Sequence, residues 1–398
     1  MNVATIVSAA SLAAWLYLLF GRGHFWCCTE QDGSRALVEG SQPIDQWPSV
    51  AVILPARDEA DLIAASVGSL LRQDYPGVLT IVVVDDQSTD GTATLARETA
   101  TRMGATHRLA VIHGTDPPLH WTGKLWAMAQ GIAYLDTQSR SPNYVLFTDA
   151  DIVYGRGTLR QLVEHACACH TVLASTMVKL HCETFAERML IPAFVFFFQK
   201  LYPFAWVNDP RRRTAAAAGG CMLVRPDVLR CAGGIQAICG ALIDDCALGA
   251  LLKREGPIWL GLTDKVRSVR AAPTFSDVGH MVARSAYAQL RYSPLLLLGT
   301  LLGMGVVYIA PPLTTILGER TSRSLGLAAW MMMVLAYAPT LRFFRVNRAW
   351  GLALPVIASM YMWFTLDSAL QHWQGRGGAW KGRFQAARSQ HTNQSHKR

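Results

Sequence analysis

Acidic residues recur where short apolar runs of this chain end. VAVILP (50–55) runs into Ala56, Arg57, Asp58 and Glu59. LTIVVVD (79–85) runs into Asp86, Gln87, Ser88, Thr89, Asp90 and Gly91, and YVLFT (144–148) into Asp149, Ala150 and Asp151. A core has no use for three such ends, because a carboxylate taken out of water is costly unless it is paired. Asp149 and Asp151 flank one small residue, a spacing that lets both carboxylates face one divalent ion. Hard oxygen ligands there suit Mg²⁺ or Mn²⁺ completed by diphosphate oxygens and water. D-x-D also occurs in many surface loops; its place after an apolar strand and downstream of two other acidic ends favours the metal. Asp85 and Asp86 repel each other unless a ligand hydroxyl, amide or cation is shared between them, and a nucleoside is one such ligand. Ser88, Asp90 and Gly91 read equally as ligand-side residues or as local structure, Asp90-Gly91 a turn and Ser88 or Asp90 a helix cap.

Further candidates follow along the chain. Lys124 is suited to diphosphate charge or to a solvated helix start. In TAAAAGGCM (214–222), Gly219 and Gly220 allow a backbone to approach a ligand closely, or pack a tight turn. Asp244 and Asp245 open a helical stretch. One is accounted for as a cap or dipole partner, and the other is available to take a proton from an acceptor hydroxyl as general base. The sequence holds no G-x-x-x-x-G-K-[ST] and no Gly-rich kinase loop, which disfavours a kinase.

The elements that must position these residues alternate. The β-branched runs 50–55, 79–85, 108–114 and 144–149 are separated by amphipathic stretches at 60–72, 92–102 and 124–135. This predicts an α/β sheet of mostly parallel strands, whose carboxyl ends gather ligands.

Of 398 residues, 51% are hydrophobic and 16% charged, which excludes a disordered chain and points to a membrane protein. Uncharged apolar runs lie at 3–20, 294–317, 324–341 and 350–370. The expected organisation is a transmembrane anchor (1–21), a linker (22–48), a cytoplasmic catalytic domain (49–273), an interfacial helix (274–293), transmembrane helices (294–370) and a basic tail (371–398). The aromatic segment 189–207 reads as an interfacial or re-entrant piece or as a buried core helix. Arg342, Arg345 and Arg348 precede the last apolar run and six cations follow it, so a single crossing there puts one basic cluster outside. Much of the net charge of +9 sits in the tail, which suits lipid headgroups rather than nucleic acid. The nine cysteines contain no C-x-x-C pair, implying free thiols in a reducing compartment. Cys167, Cys169 and His170 read as buried thiols in preference to a metal cluster.

The ordered set PARDE, VVVDDQSTDGT, Gly123-Lys124, FTDAD, GGCML and IDDCALG, followed by apolar spans, resembles the membrane-anchored family 2 glycosyltransferases. HWTGKLWAMAQG, LFTDADIVY and ERMLIPAFVFFFQKLYPFAWVNDPRRR look most like the hopanoid-biosynthesis-associated members, and WKGR (380–383) is similar to the tail motif of the ceramide-glucosyltransferase-like branch. The resemblance implies a GT-A-type nucleotide-diphospho-sugar transferase domain of inverting mechanism, dependent on Mg²⁺ or Mn²⁺, in a bacterial cytoplasmic membrane and facing the cytoplasm. It implies that Pro55, Ala56, Asp58 or Glu59, and Asp86 hold the nucleoside. Lys124 would hold the diphosphate, with Gly220 beside the donor, Asp149 and Asp151 the donor and metal, and Asp245 the base with Asp244 its neighbour. Where the family has Q-x-x-R-W, this chain reads Gln289, Leu290, Arg291, Tyr292, one residue shorter and with Tyr for Trp. Gln289, Arg291 and Tyr292 are thus substrate-binding or merely interfacial. The implied partners are a nucleotide-diphosphate sugar and a hopanoid-like lipid. A ceramide-like lipid, diacylglycerol or polyprenyl phosphate as acceptor, a nucleotidyltransferase, and a non-catalytic nucleotide-binding scaffold are the rival readings.

Overall fold

The computed structural model describes residues 2–32 and 44–378 and the backbone of 379–380 and 383–384. Part of the expected linker (33–43) and most of the basic tail, with the WKGR motif beyond Trp380, lie outside the described residues.

In chain order the helices are α1 (Val3–Leu16), α2 (Ala60–Leu71), α3 (Thr92–Arg102), α4 (Gly123–Asp136), α5 (Thr158–Ala168), α6 (Phe185–Leu201), α7 (Phe204–Asn208), α8 (Pro226–Cys231), α9 (Asp244–Leu252), α10 (Phe275–Gln289), α11 (Pro294–Met304), α12 (Ala310–Leu317), α13 (Arg320–Phe343) and α14 (Leu354–Trp373). The main-sheet strands are β1 (Val50–Ala56), β2 (Leu79–Asp85), β3 (Leu109–His113), β4 (Tyr144–Phe147), β5 (Ile152–Tyr154), β6 (Leu173–Lys179), β7 (Met222–Val224) and β8 (Ile258–Ser268), in the order β3-β2-β1-β4-β7-β6-β8-β5.

The first four strands are parallel, as the alternation predicts. In the rest of the sheet β6 and β8 are parallel to one another, so the sheet is mostly parallel as expected, but it holds two reversed strands: β7 runs antiparallel to both β4 and β6, and β5 antiparallel to β8. Each is three residues long, too short to leave a periodic signature. In-register pairing fixes the site edge, since Ala56 lies opposite Asp85 and Ile53 opposite Phe147, so the acidic loops leave the sheet side by side.

Both sheet faces are covered, which explains why β1 is apolar throughout instead of alternating. Val52 and Leu54 pack with Ile63 and Val67 of α2 and Ala96 of α3; Ala51 and Ile53 face Leu125 and Met128 of α4. This second core continues without a break into Trp15, Tyr308, Tyr337 and Tyr361 of the apolar helices. Four helical segments, Val3–Gly21, Pro294–Leu317, Arg320–Phe343 and Arg348–Trp373, are long and apolar enough to cross a membrane.

The segment 189–207 forms most of α6 and the short α7, and its side chains are largely buried. Phe196 meets Tyr337 at 5.1 Å between ring centroids, and Phe197 meets Tyr361 at 4.9 Å and Tyr308 at 5.6 Å. Pro192 is tolerated inside α6 and lies buried with its neighbours. The residues expected as an interfacial helix form α10. Its Thr274–Asp277 capping box starts the helix, and Val278, Val282 and Tyr287 form its covered face.

Candidate active site

At the β1 and β2 ends, the loops lace together through their own polar groups. The backbone N–H of Thr89 donates to Asp58 at 2.9 Å, that of Asp58 to Ser88 Oγ at 3.0 Å, and that of Ala60 to Asp90 at 2.9 Å. Asp58 adopts φ 49°, a left-handed conformation for which Asp has one of the smaller penalties. Ser88 and Asp90 are therefore turn and cap residues. Asp85 and Asp86 need no shared ligand to coexist, contrary to the sequence argument. Asp86, fully buried, faces the Arg57 guanidinium at 3.6 Å, whereas Asp85 accepts from the Ser88 N–H at 3.2 Å and faces His113 at 3.5 Å.

Opposite these loops, Lys124 sits at the start of α4, whose N-cap Thr122 accepts from the Leu125 N–H. Its ammonium lies 2.8 Å from Asp149 and 2.9 Å from Asp244. Burial works against that charge, but the two carboxylates more than offset it and keep the ammonium protonated well beyond the ordinary range. Burial likewise raises Asp149, with Lys124 pulling the other way. Asp245, one residue into α9, accepts from the Gly219 N–H at 3.0 Å and the Cys246 N–H at 2.7 Å. Burial first, and the adjacent Asp244 second, push its carboxyl up to about 6. A carboxylate with this pKa is ionised at neutral pH, yet basic enough to accept a proton from an activated hydroxyl.

Two glycines let the helices bring these groups in. A Cβ on Gly131 of α4 would lie 2.6 Å from Ile53 of β1, and one on Gly249 of α9 would lie 2.7 Å from the Ala216 backbone. Gly249→Ala is expected to push α9 off the 214–218 segment. We expect about 1–3 kcal/mol lower stability, read from the melting temperature of the purified protein. Unchanged melting would show that the contact relaxes freely. Gly219 faces Lys124 Nζ and Asp245, whereas Gly220 packs against Val178 and Ile152. The Gly220 carbonyl accepts from Thr148 and Tyr154. The ligand-side position is thus Gly219; Gly220 packs the turn, the alternative considered above.

Asp151 stands on the other side of Ala150. Ser268 Oγ donates to it at 2.7 Å, and Arg270 approaches at 3.4 Å while its guanidinium also binds both oxygens of Glu59 at 2.7 and 2.6 Å. Arg57, Ser268 and Arg270 are site residues that reading strand ends did not single out. Arg57 was passed over inside its acidic motif. Ser268 ends the long strand β8 and Arg270 lies two residues beyond it; a polar cluster after IWLGLT was the signal available for them.

The described residues contain no group of three or more His, Cys, Asp or Glu side chains able to hold a metal. Cys167, Cys169 and His170 form no such group. Of the nine free thiols, Cys28, Cys221 and Cys246 are buried and the others partly or fully exposed, so burial explains only some of them. Asp149 and Asp151 offer a pair of hard oxygen donors at the cleft, a set that fits Mg²⁺ or Mn²⁺ arriving with donor phosphates better than a resident ion in a protein cage.

The cleft has a volume of about 710 Å³ and runs from Pro55, Lys124 and Asp151 past His181 to His280, Met281 and Arg284 on α10. His181 is oriented by Glu187, whose fully buried carboxylate accepts from His181 Nδ1 at 2.8 Å and from the N–H groups of Glu183, Thr184 and Ala272. Burial alone would raise Glu187, but these donors hold it down at about 2. Gln289 donates to Tyr202 Oη at 2.7 Å; Tyr202 neighbours Cys246, next to Asp245. Arg291 and Tyr292 are not brought to the acidic cluster. Both have positive φ at the end of α10, and Tyr292 stacks on His372 with ring centroids 4.3 Å apart.

Residues 51–233 match the family described as Glycosyl transferase family 2. In structure the chain is similar to the mannosyltransferase PcManGT from Pyrobaculum calidifontis in complex with GDP-Man and Mn²⁺. The TM-score is 0.51 at 19% identity, covering 92% of this chain and 98% of that one. It is also similar to TarS 1–349 of S. aureus in complex with UDP-GlcNAc (TM-score 0.40, 15% identity, 82% of this chain and 92% of that one). A third is glucosyl-3-phosphoglycerate synthase of M. tuberculosis (TM-score 0.39, 18% identity, 64% and 82%). No curated protein matches the chain in sequence. The fold is thus a mixed α/β sheet of the GT-A type within which residues 51–233 match the family 2 glycosyltransferase model, with apolar helices on both sides of it in the chain.

Proposed function

We propose that the chain is an integral membrane glycosyltransferase that moves a sugar from a nucleotide-diphosphate donor to the hydroxyl of a membrane lipid, with inversion at the anomeric carbon. The observation that carries this is the meeting of Lys124, Asp149, Asp244 and Asp245 at the carboxyl edge of the sheet. The cleft leaves that edge toward helices packed on the apolar spans. A polar donor and a greasy acceptor require such a site.

In this reading Pro55, Ala56, Asp58, Glu59 and Asp86 hold the nucleoside, and Lys124 faces the diphosphate. Asp149 and Asp151 would hold Mg²⁺ or Mn²⁺, which supplies positive charge to a departing diphosphate. Asp245 takes the proton of the acceptor hydroxyl as its oxygen bonds to the anomeric carbon and the bond to the diphosphate oxygen breaks. The resemblance of the sequence to hopanoid-associated members supports a hopanoid-like or similar lipid alcohol as acceptor, and a catalytic domain at the cytoplasmic face of a bacterial membrane.

The test is nucleotide release by purified protein in lipid nanodiscs, across a panel of nucleotide sugars, with Mg²⁺ or Mn²⁺ and with or without extracted hopanoids. Release that needs both the cation and the lipid, and is lost in Asp151→Asn, is the expected outcome. Release that proceeds equally without lipid would overturn the lipid acceptor. Binding without turnover across the panel would favour a scaffold.

A further inference from the structure

We infer that the last apolar helix does not cross the membrane. It enters and leaves on the catalytic side, seated in that leaflet, so the chain crosses three times. The inference rests on the membrane reading above but not on the identity of donor or acceptor.

Two sets of contacts mark the faces of the helical bundle. At the far face Asn2, capping α1, donates to Glu319 at the start of α13 at 2.9 Å. At the catalytic face Arg22, just past the first span, donates to the Lys200 carbonyl of α6 at 3.1 Å, and Lys179 of β6 donates to the Phe343 carbonyl at the end of α13 at 2.9 Å. The spans Val3–Gly21 and Arg320–Phe343 therefore run from the far face to the catalytic face. Pro294–Leu317 runs the other way, from the end of α10 to the turn before Arg320.

The segment Arg348–Trp373 fits neither direction. Its first turn holds Trp350 against Phe185 at 5.3 Å, and Phe185 in turn meets Phe275, the first residue of α10, at 6.1 Å. Its last turn puts Trp373 5.8 Å from Tyr287 and stacks His372 on Tyr292, two residues before Pro294. Between these ends Tyr361 donates to the Leu190 carbonyl of α6 at 2.9 Å, and Ser368 accepts from the Tyr287 N–H at 3.0 Å. Both ends thus lie on α6 and α10, the helices that border the cleft. At about 1.5 Å per residue the segment is long enough to cross; it is spent lying along those helices.

Its outer face says what covers it. Leu352, Val356, Trp363, Leu370 and Trp373 form an exposed apolar stripe, Val356 and Trp363 at 58% and 61%. Exposed Arg342, Arg345 and Arg348 flank one end and Arg376 the other. An apolar stripe between two basic ends matches the acyl and anionic headgroup layers of one leaflet. Both basic clusters then share a face, which removes the conflict that a crossing created, since positive charge collects on one side of a membrane.

The wild-type chain tests this without mutation. An impermeant amine reagent is applied to sealed membrane vesicles of each orientation, and the labelled lysines are found by mass spectrometry. The tail residues Lys381 and Lys397 are expected to label in the orientation that labels Lys265 of the catalytic domain, with labelling lost in the other. Tail labelling only in the opposite orientation to Lys265 would overturn the inference and leave the membrane reading standing. Release of the chain by alkaline carbonate would overturn both.

Discussion

Asp245→Asn is expected to lower kcat about 10²–10⁴-fold, the usual contribution of a general base, while the donor dissociation constant stays within a few-fold of wild type. The carboxylate is held by two backbone N–H groups, from Gly219 and Cys246, whereas Lys124 pairs with Asp149 and Asp244. Asparagine is nearly isosteric and leaves the lysine pairs intact, so donor binding has no reason to fail. Because burial and Asp244 raise this carboxyl to about 6, the wild-type rate should fall as pH drops through about 6, when the base becomes protonated, and level off above it. That limb should vanish from the residual activity of the variant. A donor affinity lost in step with turnover would show that Asp245 holds the site together and does not take the proton.

Lys124→Met is expected to damage stability and donor binding together. Its ammonium is within 3 Å of two carboxylates. Removing one member of a half-buried ionic cluster leaves the rest without compensation, costing about 1–3 kcal/mol. Donor affinity is expected to fall about 10²-fold, equivalent to about 2.7 kcal/mol. Adding Asp244→Asn should restore part of the melting temperature by removing one of the stranded charges. Donor affinity should stay low. Recovery of donor affinity in the double variant would make Lys124 a counter-ion only.

What could be read from the sequence follows from distance along the chain. Asp149, Asp151, Lys124 and Asp245 were legible because each sits at the end or start of an element whose local pattern is strong, and a parallel sheet gathers such ends at one edge. Ser268 and Arg270 were not. They reach Asp151 only because β8 pairs antiparallel with β5, a register set by tertiary packing between residues more than 100 positions apart. That Asp85 and Asp86 have separate partners was not legible, because successive side chains along a strand direction point to opposite faces and meet Arg57 and His113 from distant parts of the chain. The four parallel strands were legible; β5 and β7, three residues each, were not. Aromatic content alone did not distinguish a helix wedged beneath spans from one lying in headgroups. Burial of α6 is decided by residues over 100 positions later.

That wedge sets an order of assembly on the ribosome. Phe196 and Phe197 leave the exit tunnel midway through synthesis; Phe25 packs on Phe196, but the other rings against them, Tyr308, Tyr337 and Tyr361, belong to the last third of the chain. Until those helices are made, a nascent sheet complete in its first strands carries an aromatic ridge that, of these rings, only Phe25 partly covers. A fragment ending before Pro294 keeps that exposure permanently.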